Sequence, residues 1–106
     1  MNTDSVLKRN LADLNMAHNL ASIYNNEDLK NYVNKRINNI NKNYNLYSYL
    51  SINNAVDSYA IDLQLFIRIS DITHDLDSKD FYKSRLIDLF KNFDYLKSKE
   101  DLSSLI

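Results

Sequence analysis

The chain has 106 residues, a net charge of −1 and no glycine, proline or cysteine. That length suits one domain with a modest core, and the near-neutral charge provides no strong field towards nucleic acid or an anionic membrane. Disulfide and thiolate chemistry are excluded by the missing cysteine, and a phosphate-cradling loop or strained nucleophile elbow by the missing glycine.

Tight hairpins lean on glycine and proline whereas helices need neither, so the composition predicts an all-α fold. Sixteen asparagines take over the punctuation, because Asn caps helix N-termini and tolerates the left-handed conformation at helix ends. The N-terminal MNTDSVLKRNLADL lacks the apolar run of a signal peptide, and no spanning segment occurs after it. The expectation is a cytoplasmic protein with no membrane association.

The first helix is expected over residues 4–25, with Thr3 or Asp4 as its cap and Asn25–Asn26 as its stop. Leu7, Leu11, Leu14, His18 and Ala21 form one stripe. Val6, Met16, Ala17, Leu20, Ile23 and Tyr24 form a second, which predicts two contact surfaces, one of them suited to a homodimer mate. Asn26 then caps a second helix with Glu27 and Asp28 in its first turn, where the helix dipole favours acids. Leu29, Val33, Ile37, Ile40 and Tyr44 recur at spacings of four, four, three and four, which is a one-sided surface helix. Its outer face carries Asn31, Asn34, Lys35, Asn38, Asn41 and Lys42.

Residues 44–52 join this helix to the next. A turn around Asn43–Asn45 and a helical turn through Leu46–Leu50 are expected, with a continuous kinked helix as the alternative. The chain is organised around its third main helix, expected from about 53 to 76. Val56, Tyr59, Leu63, Phe66, Ile67 and Ser70 line one flank; Ile61, Leu65, Ile69, Ile72 and Leu76 line the other. Two apolar flanks predict a buried central helix covered on both sides. Asp57, Gln64, Arg68, Asp71 and Asp75 form its polar stripe. Asp62 falls on a side that should be covered, and it reads as a satisfied structural acid rather than a functional one.

Asp77 or Ser78 is expected to cap a fourth helix through about Lys97, with Tyr82, Leu86, Leu89, Phe90, Phe93 and Leu96 inward. Ser98-Lys99-Glu100-Asp101 resembles a capping box that starts a short last helix with Leu102, Leu105 and Ile106. The expected architecture is therefore a compact bundle of four main helices plus a short C-terminal helix, in a single domain over 1–106.

Little in the chain carries chemistry. Asp71, His74 and Asp75, at i, i+3 and i+4, have ligand spacing, but no extended motif accompanies them and no metal or other cofactor is expected. Paired carboxylates without an inferred cleft do not make an active site, so no catalytic residue is assigned and the protein is read as a non-enzyme. Lys30, Lys35, Arg36 and Lys42 lie among Asn and Tyr on the second helix, and residues 27–50 sum to about +2. That is a small footprint for phosphate contact, and an ordinary solvated face is the preferred reading.

The opposite sign is more suggestive. Asp57, Asp62, Asp71, Asp75 and Asp77 stand against Arg68 alone over residues 51–77. An acidic patch with exposed aromatics suits a blocker of a basic partner, which needs a complementary surface and no catalytic groups. Immunity proteins, antitoxins and phage-encoded interference factors work in this way, although no motif here carries a family resemblance. The expected function is binding and neutralisation of another protein, a basic toxin or host factor. The alternatives are a small helical nucleic-acid-binding regulator and a homo-oligomeric structural module. Interface hot spots favour Tyr and Arg ringed by polar groups. The expected docking stripe is therefore Phe81, Arg85, Asp88, Asn92 and Tyr95, with Asp57, Asp71 and Asp75 steering the approach.

Overall fold

A computed structural model describes residues 2–47 and 52–92. Every regular element among them is a helix: α1 (Thr3–Ile23), α2 (Glu27–Lys42), α3 (Tyr44–Tyr47), α4 (Ile52–Ile72) and α5 (Leu76–Asn92). The expected all-α class is what the structure shows. Among the described residues no helix is long and apolar enough to cross a membrane. The expected last helix, with Leu102, Leu105 and Ile106, lies outside the described residues, as do Phe93, Tyr95 and Leu96.

The helix ends show how a chain without glycine turns corners. α1 is capped one residue earlier than expected, by Asn2, whose Oδ1 accepts the Ser5 N–H at 2.8 Å. At its other end Asn25 takes φ 51°, while the Asn26 N–H donates to the Ala21 carbonyl and the Asn25 N–H to that of Ser22. This pair of bonds around a left-handed residue is a Schellman closure. Asn26 then caps α2, its Oδ1 accepting the Leu29 N–H at 3.0 Å, as expected. The α4–α5 corner repeats the device. His74 takes φ 60°, with the Asp75 N–H donating to the Ser70 carbonyl and the His74 N–H to that of Asp71. Asp75 Oδ1 accepts the Ser78 N–H at 3.1 Å and caps α5. The central helix therefore ends at Ile72 rather than Leu76, and Asp75, not Asp77 or Ser78, starts its successor. The apolar periodicity ran through this corner because Ile72 and Leu76 keep helical spacing across it.

Between α2 and α3 only Asn43 is non-helical, and the next helical turn starts at Tyr44, two residues before the expected Leu46.

The chain divides into two compact units, Met1–Tyr59 and Ala60–Ile106, with the boundary inside α4. In the first unit α1 packs on α2. α1 buries one face rather than two: Val6, Leu7, Asn10, Asp13, Leu14, Ala17, Leu20 and Ala21. Met16, Ile23 and Tyr24, expected on a second contact surface, are exposed. The one-sided reading of α2 holds, with Leu29, Val33 and Ile40 buried and Asn31, Asn34, Lys35, Asn38, Asn41 and Lys42 exposed. Two polar groups inside this core find partners on other elements. Tyr59 Oη donates to Asp13 Oδ2, and Arg36 Nη2 donates to Asn10 Oδ1 at 3.3 Å. Burying a carboxylate without such a donor costs several kcal/mol or so, which makes the tyrosine hydroxyl part of the core design.

In the second unit the buried residues are Ala60, Asp62, Leu63, Phe66, Ile67 and Ser70 of α4 and Tyr82, Leu86, Leu89 and Phe90 of α5. The Phe66 and Tyr82 rings meet at 5.3 Å with a 54° tilt, a geometry that favours aromatic pairs. Ser70 satisfies its buried hydroxyl on the Phe66 carbonyl at 2.7 Å. Asp62 is completely buried and has an interaction partner.

The two flanks of α4 are covered unequally. Val56, Tyr59, Leu63, Phe66, Ile67 and Ser70 are all buried, as expected for that flank. On the other, Ile61 is 60% exposed and Ile72 69%, and Leu76, which opens α5, is 66% exposed. Leu65 and Ile69 of the same flank are half-buried, so the expected cover on both sides is only partial among the described residues.

Candidate functional site

The residues expected to steer a basic partner have local structural employment. Asp71 is exposed, but Lys79 Nζ lies 2.7 Å from its Oδ1, across the α4–α5 corner. The hydrogen bond from Lys79, and then that cation's charge, hold the Asp71 carboxyl below its ordinary value. Asp75 is half-buried and spent on capping α5. Asp57 is half-buried and engaged in an interaction of its own. Three carboxylates that counted as an open acidic stripe in the sequence are thus an ion pair, a cap and a partly covered group.

The expected docking stripe on α5 is also partly internal. The Arg85 guanidinium carbon stands 5.0 Å above the Phe81 ring centroid, and both residues are half-buried. Phe81 in turn meets Tyr82 edge-on at 5.3 Å and 74°. The structure brings Phe81 and Arg85 together, as i, i+4 spacing on a helix requires. Asp88 and Asn92 are exposed, and Asn92 Nδ2 donates to the Asp88 carbonyl at 2.8 Å. Tyr95 lies outside the described residues.

Helix spacing and exposure together define a different surface. Ile61, Leu65, Arg68 and Ile72 recur at i, i+4, i+7 and i+11 on α4, a single stripe along one side of the helix. Ile61, Arg68 and Ile72 are exposed and Leu65 is half-buried. Two large aliphatic side chains, each more than half in solvent, flank a cation. The sequence reading placed Ile61, Leu65 and Ile72 on an apolar flank that should be covered and Arg68 on the polar stripe beside it. Arg68 was the available signal that this side of α4 faces solvent, since an arginine is almost never fully buried unless paired.

No group of three or more His, Asp or Glu among the described residues is placed to hold a metal ion. Asp71, His74 and Asp75 serve as ion pair, left-handed corner and cap, respectively. A second polar cluster links α1 to α3: Tyr44 Oη donates to Asp4 Oδ1, and Lys8 Nζ lies 3.0 Å from Asp4 Oδ2. The hydrogen bond from Tyr44, and after it that from Lys8, lowers the Asp4 pKa, and the same carboxylate raises that of Tyr44. The cluster is a surface tie between α1 and α3.

No protein-family model, no curated protein and no solved structure matches the chain.

Proposed function

We propose that this is a non-catalytic protein that binds and blocks another protein, using the outward flank of α4. The observation that carries the reading is the exposure of Ile61 and Ile72 on one stripe of α4, at 60% and 69%. Scattered single apolar residues on a surface need no explanation, but aliphatic side chains aligned on one stripe mark an interaction site. The sequence asks for cover on this flank, and a partner supplies it. Loss of water from these side chains would contribute about 25 cal/mol for each Å² of apolar surface removed. Phe81 and Arg85, already stacked, add a rigid aromatic–guanidinium element elsewhere on the same unit.

A second reading is favoured by one specific observation. Residues 29–56 contain no acid, while Lys30, Lys35, Arg36 and Lys42 all fall within them, and the outer face of α2 is exposed. Lysines and amides on one exposed face suit contact with a phosphate backbone, so a nucleic-acid-binding regulator stands second.

One experiment addresses both. A photo-crosslinking phenylalanine analogue is placed at Ile61, Ile72 or Asn34 in full-length protein inside the cells that express it. Positions 61 and 72 are expected to trap a protein of different mass, and position 34 neither protein nor nucleic acid. Nucleic-acid adducts at 34 with none at 61 or 72 would reverse the order of the readings. Adducts at 61 and 72 only to a second copy of the chain would make the flank a homodimer interface.

A further inference from the structure

We infer that the occupant of the α4 stripe is an amphipathic helix of another protein that carries a carboxylate opposite Arg68. The inference rests on the reading of α4 as a protein-binding flank and specifies the chemistry of what binds there.

The stripe Ile61–Leu65–Arg68–Ile72 spans about 16 Å along α4, three helical turns. A partner helix laid along it would present apolar residues at matching spacing, the helix-to-helix mode of recognition. Such docking removes Arg68 from water, because it stands between Leu65 and Ile72 in the middle of the seam. A guanidinium desolvated without a counter-charge is strongly unfavourable, whereas a carboxylate fits its planar fork with two parallel hydrogen bonds. The apolar residues provide area and Arg68 provides register and selectivity.

Charge complementarity also disfavours a second copy. Parallel pairing of two α4 helices sets Arg68 against Arg68. Antiparallel pairing that matches Ile61 with Ile72 sets Arg68 against Leu65. The acids available on α4 do not repair this. Asp62 is buried, Asp71 is taken by Lys79 at 2.7 Å, and Asp57 lies eight residues out of that register. Self-association would bury two guanidiniums with no carboxylate opposite either, and a foreign helix with one acid in its seam leaves none.

The test uses the full chain as bait for a displayed library of helical peptides. Apolar residues are fixed at i, i+4 and i+11, and the positions between them are randomised. Wild-type bait should enrich Asp or Glu at one central position. Arg68→Glu bait should enrich Lys or Arg at that same position, and bait carrying both Ile61→Lys and Ile72→Lys should enrich nothing. These side chains are exposed, so each bait should keep the wild-type circular dichroism. Replacing the acid of a selected peptide by Lys should weaken binding to wild-type at least tenfold. Enrichment without acid preference, or a preference unchanged by Arg68→Glu, would overturn the inference. So would a concentration-dependent dimer, or binding to anionic vesicles, that the double lysine variant abolishes. No enrichment on any bait overturns it as well. The crosslinking result separates the two levels: a foreign adduct at positions 61 and 72 together with an acid-indifferent library refutes the inference alone.

Discussion

Asp13 is a completely buried carboxylate in α1, and a neighbour on α4 makes its position tolerable. The spacing Val6–Asn10–Asp13–Ala17–Leu20 is four, three, four and three, a regular helical stripe with two polar members. Those members hid the stripe from a reading that looked for apolar residues alone. Tyr59 makes Asp13 tolerable, because a hydroxyl on the buried flank of α4 donates to the carboxylate. Tyr59→Phe removes that donor without changing volume much, and it is expected to cost about 1–3 kcal/mol in urea unfolding. A variant as stable as wild-type would mean that the pair is incidental. Asp71 gives a second prediction, about pH. Lys79 lowers its folded pKa below the ordinary 3.8, so the folded state binds that proton less readily than the unfolded chain. The stabilisation is therefore complete above the unfolded value and is lost as pH falls through the lowered folded one. Carbon-13 titration of the Asp71 carboxyl should show the depressed midpoint, and Lys79→Met should return it towards normal. The loss of urea stability between neutral and acid pH should be smaller in that variant.

Among the elements, α4 carries the clearest contrast. Its two sides hold similar aliphatic residues, yet Phe66 is completely buried and Ile61 is 60% exposed. Phe66→Ala is expected to cost about 3–5 kcal/mol, the range for emptying a well-packed aromatic site. Ile61→Ala should stay within about 0.5 kcal/mol of wild-type, as surface changes do. Equal losses in denaturant unfolding would restore the two-sided helix. The corners make a further prediction. His74 holds φ 60°, a region in which a Cβ is crowded by the next carbonyl oxygen. His74→Gly should raise stability by about 0.5–1 kcal/mol in thermal unfolding, because relief of that strain outweighs the added freedom of the unfolded chain. A loss would show that the His74 side chain has a task of its own.

Over the whole molecule, charge and amide groups are unevenly distributed. Fifteen of the sixteen asparagines precede Ala55, and residues 29–56 hold no acid. Among the acids after Val56, Asp71 is paired with Lys79, Asp75 caps α5 and Asp62 is buried. A divalent ion would stabilise the native state by mass action if it found a site. With no suitable cluster among the described residues, zinc or manganese is expected to leave the melting temperature unchanged within error. A rise of several degrees that His74→Ala abolishes would contradict this.

Helix identity, the corner at Asn25–Asn26, the one-sided character of α2 and the buried flank from Val56 to Ser70 were legible in the sequence, whereas the α4–α5 corner was placed about four residues too late. Each depends on local rules: a spacing of three or four, an Asn that caps, a residue type that tolerates a left-handed φ. Which of two aliphatic flanks is covered was not legible, because periodicity states only that a face is apolar and burial depends on what packs there. The employment of Asp71 by Lys79, eight residues away across a corner, and of Asp13 by Tyr59, forty-six residues away, depends in the same way on where helices meet. The Asp71–Lys79 pair and the Asp75 cap make structural ties of two members of the expected acidic stripe, and Ile61, Arg68 and Ile72 stand exposed on α4. Short-range backbone and capping energies are written residue by residue in the chain, whereas side-chain burial is a property of neighbours that only the tertiary arrangement supplies.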